Sequence, residues 1–279
     1  MTLFLVSSFG YAQAEPEEMW SFVSEDQARY RLDHSLEAQH GTQLAVIDGT
    51  ALTHPIEYQK KPPYWQLPFN PSGFIYQTIK AEPYVAKHLH VSGFARGVKP
   101  NFAKMEKQFS DYYEANQQAR LAQFLGDSTL SADTEIRQRF AELEKAIYKE
   151  ERLEFVDFIQ RSYENSRYGI AVVLHMGLTQ RGNADIQWHS PTSFGAPRLN
   201  ELWNRFNVEV SIPEGCKSIS IVLWQNGVAI TEFDHLVVSE QGDAIGSGRS
   251  GFNFGTDKLI KKLVENNIEA SSFSNLSFE

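Results

Sequence analysis

Several groups of residues have types and spacings that could do chemistry. His88 and His90 alternate with Leu89 and Val91, so on a strand both imidazoles leave one face and could share a metal ion. No carboxylate or further histidine stands close in sequence to complete the ligand set, and a solvated strand face is the commoner outcome. Tyr64, Trp65 and Phe69 stand on the segment 59–73, which carries prolines at 62, 63, 68 and 71. Proline at that density excludes helix and central strand, leaving a stiff loop. Aromatic rings on such a loop can stack on sugars or aromatic ligands, or can plug the open end of a sandwich.

For hydrolytic chemistry the sequence offers little. There is no Gly-x-Ser-x-Gly elbow and no His-Glu-x-x-His pair. The glycines at 246, 248 and 251 are not fed by a strand, so a phosphate-cradling loop is not indicated. Cys216 is alone, which rules out an intrachain disulfide and a cysteine metal cluster, and it reads as packing filler.

The elements that must position these residues are mostly strands. Phe206–Ile212 alternates apolar and polar residues, and Pro213-Glu-Gly215 breaks it. Ser218–Trp224 places Ile219, Ile221 and Leu223 on one face, Asn226-Gly227 supplies a tight turn, and Thr231–Val238 follows. These three runs are expected to be antiparallel neighbours. Further strands are expected at 42–47, 74–79, 86–96, 168–176 and 186–189, with a possible edge strand at 19–22. Between them the period changes. Phe102, Met105, Phe109 and Tyr112, continuing to Leu121, Phe124 and Leu125, recur at helical spacing. A second helix is predicted from an N-cap near Ser131–Asp133, burying Ile136, Phe140, Leu143, Ile147, Leu153, Phe155, Phe158 and Ile159. Alternating charges mark its solvated face. The prediction is mainly β: an antiparallel jelly-roll β-sandwich over 15–240 with a helical hairpin inserted at 102–165. The run 241–251 reads as linker, with one or two helical turns at 258–265.

With 279 residues, 19 Phe, 11 Tyr and 5 Trp, a packed core is easily supplied. A net charge of −9 argues against nucleic-acid binding, which needs clustered cations. Leu3–Val6 is a short apolar run, and Tyr11-Ala-Gln-Ala14 resembles a cleavage site, so 1–14 is expected to be a signal peptide, possibly truncated at its start. The protein is expected to be exported, periplasmic or extracellular, with no membrane span.

The stretch Phe74–Arg96 is similar to the Q-x-I-x-A-x-P-Y-x-G-K-x-V-x-L-S-G pattern of galactose-binding-like jelly-roll modules, with Ala86 at the usual glycine. Trp203–Pro213, Ile219–Gly227 and Phe233-Asp234 resemble the closing strands of the same modules. The likeness covers roughly 40–98 and 168–240. It implies a carbohydrate-binding module, or an accessory domain of the kind that precedes secreted hydrolases such as tail-specific-type serine peptidases and erythromycin-esterase-like proteins. The ending Ser274–Glu279 is similar to the way such modules begin, so 241–279 is expected to hold a linker and the start of another domain, or else a last edge strand.

From this resemblance the expected role is a secreted, non-catalytic module that binds a glycan or packs against a hydrolase domain. Tyr64, Trp65, Trp188 and Trp203 would stack on sugar rings, with His189, Gln225 and Asn226 as polar partners. Modules of this type often hold a structural calcium, for which Glu18 and Asp234 are the candidates, with Glu232 a weaker one. Two other readings stay open. One is a catalytic jelly-roll, a polysaccharide lyase or esterase with His175 or His189 as base. The other is an interaction protein that uses the helical hairpin.

Overall fold

A computed structural model describes residues 20–25, 28–35, 37–50, 71–117, 122, 134–181, 184–190, 202–241, 257–265, 269–270, 272–273, 276 and 278. Among the described residues eleven strands form two sheets. In chain order they are β1 (Ser21–Glu25), β2 (Arg29–His34), β3 (Gln43–Asp48), β4 (Ser72–Lys80), β5 (His88–Val98), β6 (Arg167–Leu178), β7 (Ala184–His189), β8 (Asn204–Ser211), β9 (Ser218–Asn226), β10 (Ile230–Gln241) and β11 (Glu269–Ala270). One sheet has the order β1-β4-β9-β6-β7, with β11 pairing parallel to β4, and the other runs β2-β3-β10-β5-β8. The other ladders described are antiparallel, so the predicted sandwich is present.

One expectation is corrected. β8, β9 and β10 are not neighbours: β9 pairs β4 and β6 in one sheet, while β8 and β10 both pair β5 in the other. Each connection crosses between layers. The turn chemistry is nonetheless where it was expected, since Gly215 and Gly227 both take positive φ, at +87° and +108°.

Alternation explains which residues meet. Leu89, Val91 and Ala95 of β5, Val208 and Val210 of β8 and Phe233 of β10 face Ile170 and Val172 of β6 and Ile219, Ile221 and Leu223 of β9 in the main core. The six-stranded sheet is buried on its other face as well. There Phe74, Tyr76, Val173, Trp188, Val222 and Trp224 pack with Leu259 and Leu263 of a short helix, α3 (Asp257–Glu265). This is why β6 and β9 read as nearly unbroken apolar runs.

Of the linker-like run 241–251, Gln241 ends β10 and the rest lies outside the described residues. Beyond it the chain is part of the sandwich: α3 covers that sheet face, and Phe278 is fully buried against Trp20 with ring centres 5.3 Å apart.

The inserted hairpin comprises α1 (Phe102–Ala115) and α2 (Thr134–Asn165). Asn101 caps α1 by accepting the Lys104 N–H at 2.9 Å. The helices run antiparallel: Phe109 stacks on Phe155 at 4.7 Å, Ser110 bonds Tyr148, and Arg152 pairs with Glu106. Met105, Phe109, Phe155 and Ile159 close over Val228 in the turn after β9, which seats the hairpin on the end of the sandwich. The predicted positions Leu121, Phe124 and Leu125, and the N-cap at 131–133, lie outside the described residues. Two predicted core positions are corrected, because Leu143 and Leu153 are 47% and 60% exposed. The buried stripe instead follows Phe140, Glu144, Phe155 and Ile159, and a leucine one step from that stripe is rotated by about 100° into solvent.

Candidate functional site

The outward side chains of β5, β8 and β10 form a grid on the five-stranded sheet. Strand pairing sets Arg205, Phe94 and Asp234 in one row, Asn207, Ser92 and Val237 in the next, and Glu209, His90 and Ser239 in a third. Trp203, just before β8, shares their side of the sheet. Its ring lies 4.8 Å from the Arg96 guanidinium carbon, and its indole N–H donates to the Glu37 carbonyl at 2.9 Å. Arg96 in turn donates to Glu232 and Glu37, both at 2.5 Å. Burial opposes the charge on Arg96, but its bonds to the two carboxylates outweigh it and raise its pKa.

Irregular backbone shapes the middle of this face. The β5–β10 register shifts between Asp234 and Val237, so His235 and Leu236 together stand opposite Gly93. Gly93 leaves room there, since a Cβ would come within 2.6 Å of the Leu236 side-chain end and 2.8 Å of that of Ile170 and would displace them. Leu236 enters the core through that gap, while His235, with φ +47°, lies 4.5 Å from His40 and 6.4 Å from Phe94 between ring centres. Asp234 is fully buried, and its Oδ2 accepts the backbone N–H groups of Gln39 at 2.5 Å and His40 at 2.8 Å. It therefore anchors the loop 37–42 to the sheet.

The candidate calcium does not fit this arrangement. Two N–H dipoles aim their positive ends at Asp234, Glu232 is committed to Arg96, and the Asp234 Oδ1 is a single buried oxygen with no hydrogen-bond partner. Calcium needs about six to eight oxygen ligands. Among the described residues no group of three or more His, Cys, Asp or Glu is arranged to hold a metal, and Glu18 lies outside those residues. Asp234 is placed as a loop anchor, and its expected partner Glu18 lies outside the described residues.

Those predicted sugar-contacting residues that are described are not brought together. Tyr64 and Trp65 lie outside the described residues. Trp188 is buried on the outer face of the other sheet, 5.5 Å from Phe74, and His189 beside it is 4% exposed. Gln225 is fully buried, donating to the carbonyls of Gly227 and Ala229 at 3.0 and 2.9 Å, so it holds a turn and is not a ligand contact. Asn226 ends β9, paired with Ser72 and Arg167. Of the described members of the set, Trp203 alone stands on the grid. Sequence reasoning missed Arg96 as its partner, and Phe94 and Asn207 as residues of the same face. The alternation of β5 and β8 marked them as outward residues, but nothing marked the pairing of those two strands.

His175, considered above as a base, is 7% exposed. Its Nε2 lies 2.7 Å from the Ser220 hydroxyl, which lies 2.7 Å from the Thr78 hydroxyl. Burial pushes its pKa down to about 4, which keeps the ring neutral. Ser220 is wholly buried, so this pairing satisfies buried polar groups and exposes no nucleophile. His88 and His90 share the outward face as expected, and His88 Nδ1 lies 3.0 Å from the Ser211 hydroxyl.

No protein-family model matches the sequence, and no curated protein matches it. Among solved structures, the chain is similar to the enzymatically active domain of tailspike protein 4 of bacteriophage CBA120, with 9% identity, a TM-score of 0.37, and coverage of 80% of this chain and 20% of that one. It is also similar to the CBM22-1–GH10 modules of Clostridium thermocellum xylanase 10B, with 6% identity, a TM-score of 0.40, and coverage of 81% and 26%. A third likeness is to the CBM22-1 xylan-binding domain of Paenibacillus barcinonensis Xyn10C, with 9% identity, a TM-score of 0.34, and coverage of 80% and 87%. The chain thus spans about a fifth and a quarter of the first two structures.

Proposed function

We propose that this protein is a glycan-binding β-sandwich module whose binding face is the outer side of the five-stranded sheet around Trp203. The observation that carries this reading is the fixing of one half-buried aromatic ring beside a polar grid. Arg96 holds Trp203 by one face and Glu37 accepts its N–H, so the ring spends little conformational entropy when a sugar stacks on it. Asn207, His90 and Glu209 supply donors and acceptors for hydroxyl groups along the same face. Arg205, opposite Phe94, adds a second mixed polar and aromatic position.

Affinity gel electrophoresis against a panel of plant and bacterial polysaccharides tests this. Retardation by at least one polysaccharide is expected, falling about tenfold or more on Trp203→Ala. Trp188→Ala, which alters the buried opposite face, should lower stability and leave retardation in place. No retardation by any polysaccharide, or equal retardation of the Trp203→Ala protein, would remove the proposal. Export rests on the apolar run and small residues of 1–14, which lie outside the described residues, and the accessory role beside a hydrolase rests on the resemblance of 40–98 and 168–240 to modules of that kind. N-terminal sequencing of protein recovered from the periplasm or medium checks cleavage after Ala14.

A further inference from the structure

The backbone of β10 and that of the loop 37–42 converge on one pair of imidazoles. The β10 bulge turns Leu236 into the core and leaves His235 outside with φ +47°. A left-handed position of this kind is served most simply by glycine or asparagine, yet here it carries an imidazole. Asp234, next to it, is fully buried and accepts the His40 backbone N–H at 2.8 Å. That bond fixes the loop so that the His40 ring lies 4.5 Å from the His235 ring, centre to centre. Backbone held in sparsely populated conformations by its surroundings is commonest at ligand sites.

Both rings can be reached from solvent, since His40 is exposed and His235 half-buried. Their recorded contacts are between rings, and among the described residues neither imidazole makes a hydrogen bond. A neutral imidazole presents one nitrogen lone pair to a metal. Two such nitrogens about 2.0–2.1 Å from one ion, at right angles to each other, put the ring centres roughly 4.5 Å apart. The observed separation is the same. A tetrahedral angle would spread the centres to about 5 Å. Nearby charges do not oppose a cation. Arg96 is paired with Glu37 and Glu232, Arg205 stands two strands away on β8, and Asp234 places a negative charge beside the pair.

We propose that His40 and His235 bind a transition-metal ion that accepts ligands at right angles, Cu²⁺ above Ni²⁺ and Zn²⁺, with water in the remaining positions. Calcium, which selects oxygen ligands, is not a candidate. The bound ion joins the loop 37–42 to β10 through side chains, as Asp234 already does through the loop's backbone, and should raise the melting temperature by mass action.

Calorimetric titration of the full, untagged chain with the chlorides of Cu²⁺, Ni²⁺, Zn²⁺ and Ca²⁺ tests this. One copper site tighter than any other is expected, with weaker nickel and zinc binding and no response to calcium. His40→Ala keeps the N–H that Asp234 accepts, and His235→Asn tolerates the left-handed backbone. Each should weaken copper binding at least tenfold. The double substitution His88→Gln, His90→Gln removes the outward histidines of β5 and should leave the copper site unchanged. Electron paramagnetic resonance of the copper complex should count two imidazole nitrogens in the native chain and one in His40→Ala, which keeps the test decisive if His235→Asn fails to fold. No saturable copper binding, undiminished affinity in His40→Ala, a single nitrogen in the native complex, or loss of the site in the β5 double variant would overturn the proposal. No polysaccharide enters the titration, so its outcome is independent of glycan binding.

Discussion

The guanidinium of Arg96 lies 4.8 Å from the centre of the Trp203 ring while its nitrogens hold Glu232 and Glu37. One side chain therefore joins β5, β10, the loop 37–42 and the residue leading into β8. Arg96→Ala would leave Glu232, only 14% exposed in its side chain, without its cation. A loss of about 2 kcal/mol of stability is expected, together with weakened Trp203-dependent binding. Arg96→Lys keeps the charge but loses the planar fork and should fall between. Urea unfolding and affinity gels read the two effects, and unchanged values in Arg96→Ala would contradict the bridging role.

Asp234 does for the loop what Arg96 does for the tryptophan. Removing its carboxylate leaves the N–H groups of Gln39 and His40 unpaired, so Asp234→Ala should cost about 2–4 kcal/mol. Amide exchange at those two residues should rise, whereas Asp234→Asn keeps an acceptor and should cost less. Because N–H groups stand where a cation would otherwise neutralise this carboxylate, melting temperature is expected to be the same in calcium and in EGTA. A rise of several degrees with calcium would restore the metal reading.

His175 makes stability depend on pH in one direction. Its folded pKa of about 4 lies below the ordinary 6.5, so as pH falls below 6.5 the unfolded chain takes up a proton that the folded chain refuses. Stability is independent of this group above pH 6.5 and is lost as pH drops from there towards 4, by about 3 kcal/mol in all. Urea midpoints across that window should fall more steeply for the native chain than for His175→Gln, which retains a polar partner for Ser220 but cannot titrate. Identical slopes would show that the imidazole is hydrated in the folded state.

Gly227 is confined by geometry on two counts. Its φ is +108°, and an added Cβ would stand 2.1 Å from the Ser166 hydroxyl at the seat of the hairpin. Gly227→Ala is expected to cost about 3 kcal/mol or more, seen as a lowered melting temperature. A loss under half that amount would mean the hairpin shifts freely on its seat.

The sequence alone determined the local elements. Alternation named β4 to β10, the 3.6-residue period named the hairpin, and Gly215 and Gly227 stand in the left-handed region their turns require. Those signals are legible because each depends on residues close along the chain. Which strands pair was decided only by tertiary structure, since the same alternating run can lie beside any partner that buries its apolar face. That is why β8, β9 and β10 were expected side by side and are instead divided between two sheets. The same choice sends Gln225 inward, buries Trp188 on the outer face of the other sheet, turns Asp234 to a backbone loop, and brings Arg96 under Trp203 across more than a hundred positions of sequence. Leu143 and Glu144 differ by one helical step. Only the rotation of α2 against α1 determined which of the two would be buried.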